Sequence, residues 1–161
     1  MLALSWLVVT LPTAVVVGCG EGGAASGGTV RVYVSAPLQG AEAAAGKRLC
    51  AGARDEATKT GDQVEDLKLE VVCLDAADGT GHWTLARVGA NARRATEDST
   101  TVAYIGEPDP QAREQSRPIV AAAEIAEIGG TSGRDAVAKV IAAISEGDES
   151  EPRQDVFKAE G

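Results

Sequence analysis

Aromatic side chains are scarce in this 161-residue chain, with two Trp, two Tyr and one Phe making up 3% of it. A groove that stacks sugars or single-stranded bases on aromatic faces is therefore excluded. Positive charge is short as well: 15 Lys and Arg stand against 24 Asp and Glu, for a net charge of −9. No nucleic-acid partner fits, because counterion release from phosphates needs a basic face. His82 is the only histidine, which leaves no histidine cluster for a metal and no paired imidazole for general-base work. No GxSxG elbow and no P-loop lysine occur, so acyl transfer by a serine nucleophile and nucleotide hydrolysis lack their usual frames. None of the three cysteines, Cys19, Cys50 and Cys73, has a CxxC partner, which removes structural zinc and dithiol redox chemistry. The expectation is a chain without catalytic residues, cofactor or metal.

Charge is absent altogether from residues 1–18, which run apolar through Leu2, Leu4, Leu7, Val8, Val9, Leu11 and Val15. The run is shorter than the roughly 20 apolar residues of a spanning helix, and Pro12 and Gly18 interrupt it. A cleaved export segment is the expectation. Val16-Val17-Gly18-Cys19 resembles the lipobox of bacterial lipoproteins, although the Lys or Arg that normally opens such a leader is missing. That resemblance implies lipidation of Cys19 and an extracytoplasmic protein anchored to the cell membrane only through its lipid. Residues 19–28, rich in Gly, Ala and Ser, then read as a flexible tether. With Cys19 so used, Cys50 and Cys73 remain as an even pair, expected to form a disulfide in an oxidising compartment. Two unpaired buried thiols are the alternative.

From residue 29 the pattern alternates. Residues 29–35 are β-branched and strand-like; Leu49, Cys50, Ala53 and Ala57 then share one helical face, and Gly61 is a stop. Residues 67–74 form a second strand, followed by a Gly79-Thr80-Gly81 turn and a helix marked by Leu85, Val88, Ala92 and Ala95, with Arg87, Arg93 and Arg94 on it. A third strand covers 101–105. Residues 106–110 break it, and a helix over 111–123 holds Pro118 as a kink or split. A short fourth strand, 125–128, precedes the 129–133 loop and a helix with Ala136, Val137, Val140, Ile141 and Ile144 on one face. The tail, 147–161, is acidic and polar with room for a short helix. Close alternation of this kind predicts an α/β fold over residues 29–146: a single three-layer lobe with a parallel sheet of about four strands flanked by helices. Ligands in such sheets bind at the carboxyl ends of strands.

The ordered set of residues 30–40, Gly52-Ala53-Arg54, residues 71–78, residues 90–95 and Val102-Ala103-Tyr104-Ile105-Gly106 resembles the first lobe of type I periplasmic binding proteins of the leucine/isoleucine/valine class. The likeness covers residues 30–132, and residues 133–146 and 152–159 are similar to that family's last helices. It implies half of a clamshell that captures a small polar ligand, such as an amino acid, for the permease of an ABC importer. Two departures stand out. Residues 129–134 join directly what a second lobe separates in the family, and Pro108, Asp109 and Pro110 stand where the family's loop presents a serine or another small polar group.

The candidate binding residues on this reading are Ser35, Pro37, Leu38 and Gln39 after the first strand, Gly106 and Asp109 after the third, and Thr131 and Ser132 after the fourth. The plainer reading of residues 35–40 is a tight turn whose Pro and Gly set the entry to the first helix, and that of residues 129–133 is a loop that bridges a lost domain. His82 is expected at a surface turn, and Trp83 as an anchor for the following helix. Asp75 and Asp78 lack the further oxygens of a calcium loop and read as solvated carboxylates or caps. The leading functional expectation is solute capture without chemistry; the alternative is a surface lipoprotein that contacts protein, its ligand site decayed.

Overall fold

The computed structural model describes residues 28–147, so the expectations for the export leader, Cys19, the tether up to residue 27 and the tail from 148 onward lie outside the described residues. Nine elements follow in order: β1 (Thr29–Ala36), α1 (Ala43–Lys59), β2 (Gln63–Val64), β3 (Leu67–Asp75), α2 (Leu85–Glu97), β4 (Thr101–Ile105), α3 (Pro110–Ala122), β5 (Ala126–Ile128) and α4 (Gly133–Glu146). The sheet order is β2-β3-β1-β4-β5. β1 pairs in parallel with β3 and β4, and β4 with β5, as the alternating pattern predicts. These four, β3, β1, β4 and β5, are the parallel strands expected. β2 adds a fifth strand, antiparallel to β3 through Gln63↔Lys68 and Val64↔Leu67, which makes the sheet mixed. Two residues are too few to show a period, so nothing in the hydrophobic pattern marks β2.

Central β1 is covered on both faces, which explains its run of β-branched residues. Val30, Val32 and Val34 pack with Cys50, Ala53 and Ala57 of α1 and Ala136, Val137 and Val140 of α4. Tyr33 turns the other way, among Ala92 and Ala95 of α2, Tyr104 of β4 and Val120 of α3. The helices therefore sit in pairs on opposite faces. α3 runs unbroken through Pro118 rather than splitting there. Small side chains let the layers approach closely. A Cβ at Gly133 would collide with the Leu49 carbonyl oxygen where α4 crosses α1. Gly133→Ala is accordingly expected to cost about 1–3 kcal/mol by urea denaturation, and an unchanged midpoint would contradict this contact. Cys50 of α1 and Cys73 of β3 are joined through their Sγ atoms, with Cα atoms 6.0 Å apart.

At the amino end of the sheet, Asp98 collects donors. Its Oδ1 accepts from the Thr100 amide at 2.9 Å and hydroxyl at 2.6 Å, and its Oδ2 from Tyr33 Oη at 2.7 Å and Arg31 Nη1 at 3.0 Å. These bonds, those of Thr100 foremost, hold its carboxyl far below the usual carboxylate range. A depressed pKa contributes stability that is present above the ordinary range and lost as pH falls through it. Asp98→Ala is expected to cost about 3 kcal/mol near neutrality and to flatten the acid limb of a stability–pH curve. Equal losses at pH 3 and pH 7 would contradict that assignment.

Candidate functional site

The chain leaves β1 through α1 toward β3 over one face and leaves β4 through α3 toward β5 over the other. The carboxyl ends of β1 and β4 thus flank a topological switch point, where open α/β sheets form a crevice. Two adjoining clefts lie there, of about 490 Å³ and about 440 Å³, within the range of roughly 300–1,000 Å³ usual for small-molecule sites. Ala45, Arg48, Glu107 and Pro108 belong to both. The larger continues along Leu49, Ile105, Gly106 and residues 128–133; the smaller passes Pro37, Glu42, Trp83, Asp109 and Pro110.

The sequence-predicted residues are only partly brought together. Pro37 and Asp109 line the smaller cleft, and Gly106, Thr131 and Ser132 the larger. Asp109 caps α3, accepting from the Gln111 amide at 2.7 Å and the Ala112 amide at 3.2 Å. Ser132 caps α4 through the Asp135 amide at 3.1 Å. Their oxygens are thereby committed to the backbone. Leu38 is half-buried against the core, its amide donating to Asp75 Oδ1 at 2.8 Å, while Gln39 is exposed. Ser35 is buried beneath the clefts. Asp75 ties the loops after β1 and β3 together, also accepting from the Ala77 amide at 2.9 Å, and Asp78 accepts from the amide and hydroxyl of Thr80. Neither caps a helix. Among the described residues no group of three or more His, Cys, Asp or Glu could hold a metal. Exposed His82 lies 3.0 Å from Glu42 Oε1, and Trp83 packs beside Ala76, Val88 and Ala112.

Glu107 and Arg48 were not singled out by the sequence. Strict alternation along β4 would send residue 107 to the side of Ala103 and Ile105, under α1 and α4. Instead the chain bends at Gly106, whose amide donates to the Ile128 carbonyl at 3.0 Å. The Glu107 side chain then joins the α2/α3 side. Its residue is 1% exposed. Oε1 accepts a short hydrogen bond from Ser35 Oγ and a long one, 3.4 Å, from Tyr104 Oη, while Asn91 Nδ2 donates to Ser35 Oγ at 2.9 Å. Oε2 has no hydrogen-bond partner among the described residues. Burial above all, with the charges of Glu127 and Asp109, pushes the Glu107 carboxyl up to about 7; the bonds from Ser35 and Tyr104 pull it the other way. Arg48, exposed on the wall common to the two clefts, forms no ion pair among the described residues.

No protein-family model matches this chain, and no curated protein does. Solved structures do. A possible leucine/isoleucine/valine-binding protein from Rhodopirellula baltica is 24% identical with a TM-score of 0.53, over 71% of this chain and 30% of that one. A leucine-binding protein from Thermotoga maritima is 21% identical with a TM-score of 0.54, over 62% and 27%. An ABC-transporter solute-binding protein from R. palustris, in complex with 4-hydroxybenzoate, is 18% identical with a TM-score of 0.55, over 63% and 26%. The chain thus spans under a third of the length of each. Its α/β sandwich of five strands and four helices is the fold of one lobe of a periplasmic binding protein.

Proposed function

We propose that this chain is an extracytoplasmic solute-binding lobe that captures a small polar ligand, such as an amino acid, reversibly and without chemistry, for the permease of an ABC importer. The observation that carries the reading is the pair of adjoining clefts at the switch point, their shared wall holding one exposed cation, Arg48, and one buried carboxyl, Glu107. The names of the structural neighbours, which describe amino-acid and hydroxybenzoate binders, support it. The apolar leader ending at Cys19 supports export and lipid anchoring, and no described helix is long and apolar enough to cross a membrane. Pockets gain affinity by enclosure, so capture by these clefts alone is weak and strengthens when a facing surface covers them.

The test is a thermal-shift screen against amino acids and small polar metabolites, since a ligand of the native state raises its apparent stability. A saturable rise in Tm that Ala45→Trp abolishes is the expected result, because Ala45 is exposed and lines both clefts. No rise with any compound would contradict it. The anchor has its own test: Cys19→Ser is expected to release the protein from membranes, and unchanged fractionation would overturn the lipid assignment.

A second reading, a surface lipoprotein that binds protein through a decayed site, draws support from Asp109 and Ser132, whose side chains serve as helix caps, and from the prolines on either side of Asp109. A negative ligand screen together with an unperturbed fold would favour it.

A further inference from the structure

We infer that the outer face of α2, bearing Arg87, Arg93 and Arg94, docks this lobe against the anionic headgroups of a lipid bilayer. The inference rests on the anchoring proposed for Cys19 and adds an orientation to it. All three arginines are exposed, and none forms an ion pair among the described residues. Arg31, Arg117 and Arg134, by contrast, each face a carboxylate oxygen, at 2.9, 3.7 and 3.6 Å. Arg87, Ala90 and Arg94 recur at i, i+3 and i+7, one stripe along the helix, with Ala86 and Arg93 beside it. The two exposed alanines are short and apolar, so the guanidinium groups stand foremost on this face. Glu97, in the last turn, is the only acid of α2. Three cations against one acid reverse the balance of a chain whose net charge is −9.

Two further observations favour a bilayer over an acidic protein as the partner. Leu85, at the head of α2, is 61% exposed, the one exposed large apolar side chain among the described residues. Guanidinium groups together with an apolar side chain suit the boundary between headgroups and acyl chains, where each finds a favourable neighbour. The second observation is reach. Only residues 20–28 separate Cys19 from Thr29 at the start of β1, and fully extended they hold the lobe within roughly 30 Å of an acylated Cys19. Over so short a span a surface contact is effectively intramolecular, and an attraction of about fivefold per cation suffices to set the orientation. The opposite side of the lobe is less suited. There the cations of α1 are interleaved with Asp55 and Glu56, which face Arg134 and Lys59. With α2 against the bilayer, the clefts at the carboxyl ends of the strands open sideways and stay accessible to solute.

The experiment places the acylated protein in vesicles of phosphatidylcholine, alone or mixed with phosphatidylglycerol, with a headgroup spin label as quencher. A fluorophore is attached at Ala90→Cys on α2 or at Ala51→Cys on α1, both exposed positions. The ratio of quenched to unquenched label at Ala90→Cys is expected to rise roughly tenfold from neutral to anionic vesicles and to fall as salt screens the contact. The combined Arg87→Gln, Arg93→Gln and Arg94→Gln variant is expected to lose the rise, its folding read from circular dichroism, and Ala51→Cys to show no change. Equal quenching of Ala90→Cys on both vesicles, quenching that survives the triple substitution, or quenching at Ala51→Cys instead would overturn the docking face while leaving the anchor standing. Shielding of Ala90→Cys that appears only at high protein density on neutral vesicles would assign the face to an acidic surface of a second copy and overturn the bilayer as partner. A mass spectrum showing Cys19 without its lipid would overturn the anchoring and this inference with it.

Discussion

Glu107→Gln is expected to stabilise the ligand-free protein by up to about 3 kcal/mol at pH 8 and by little at pH 4. The carboxyl is held near 7 in the folded protein against an ordinary value of 4.5, chiefly by burial. Between those values the folded state binds more protons than the unfolded one, so stability declines as pH rises from about 4.5 to about 7. Above that window the native protein carries a buried negative charge with Glu127 and Asp109 nearby, a cost that an amide of the same shape avoids. Urea denaturation at pH 4 to 8 measures the difference directly. Parallel curves for the two proteins would show that the buried carboxyl titrates no differently in the folded and unfolded states.

Reduction of the Cys50–Cys73 bond is expected to cost about 3 kcal/mol, because it releases a loop in which the two residues lie 23 apart. For a lobe of this size that corresponds to a fall in Tm of roughly 10 °C. The bond links α1 to β3 and so holds the helix whose Ala45 and Arg48 wall both clefts. A Cys50→Ala/Cys73→Ala double variant should reproduce the effect of reductant and should not respond to it further. Free thiols at both positions in a non-reducing mass map, with Tm unchanged by reductant, would contradict the pairing.

Much of the architecture is legible in the sequence because its signals are local. Val30, Val32 and Val34 alternate with Tyr33 as a two-sided strand must, and Val137, Val140, Ile141 and Ile144 recur at helical spacing. β2 is not legible: a two-residue strand has no period, and its pairing depends on a turn in which Glu65 takes a positive φ of 51° that its residue type does not announce. The general position of the clefts follows from strand order, yet the identity of their distinctive groups does not. Glu107 looks like one more loop acid until the bend at Gly106 sends it under the sheet to Ser35. Arg48 is one of four exposed cations in α1, with Lys47, Arg54 and Lys59, until the fold places it against residues 106–108. Conversely, Asp109 and Ser132 carry the residue types of both a ligand contact and a helix cap, and only the hydrogen bonds distinguish the two.

On the proposed reading, a small ligand binds where α1 and the loops after β4 and β5 meet. An amide-detected NMR titration of the isotopically labelled protein with pooled amino acids and small polar metabolites tests it most directly. Saturable shifts are expected at Ala45, Arg48, Glu107, Gly130 and Thr131, with the amino end of the sheet around Asp98 unmoved. An unperturbed spectrum, or shifts confined to the outer face of α2 and α3, would contradict it.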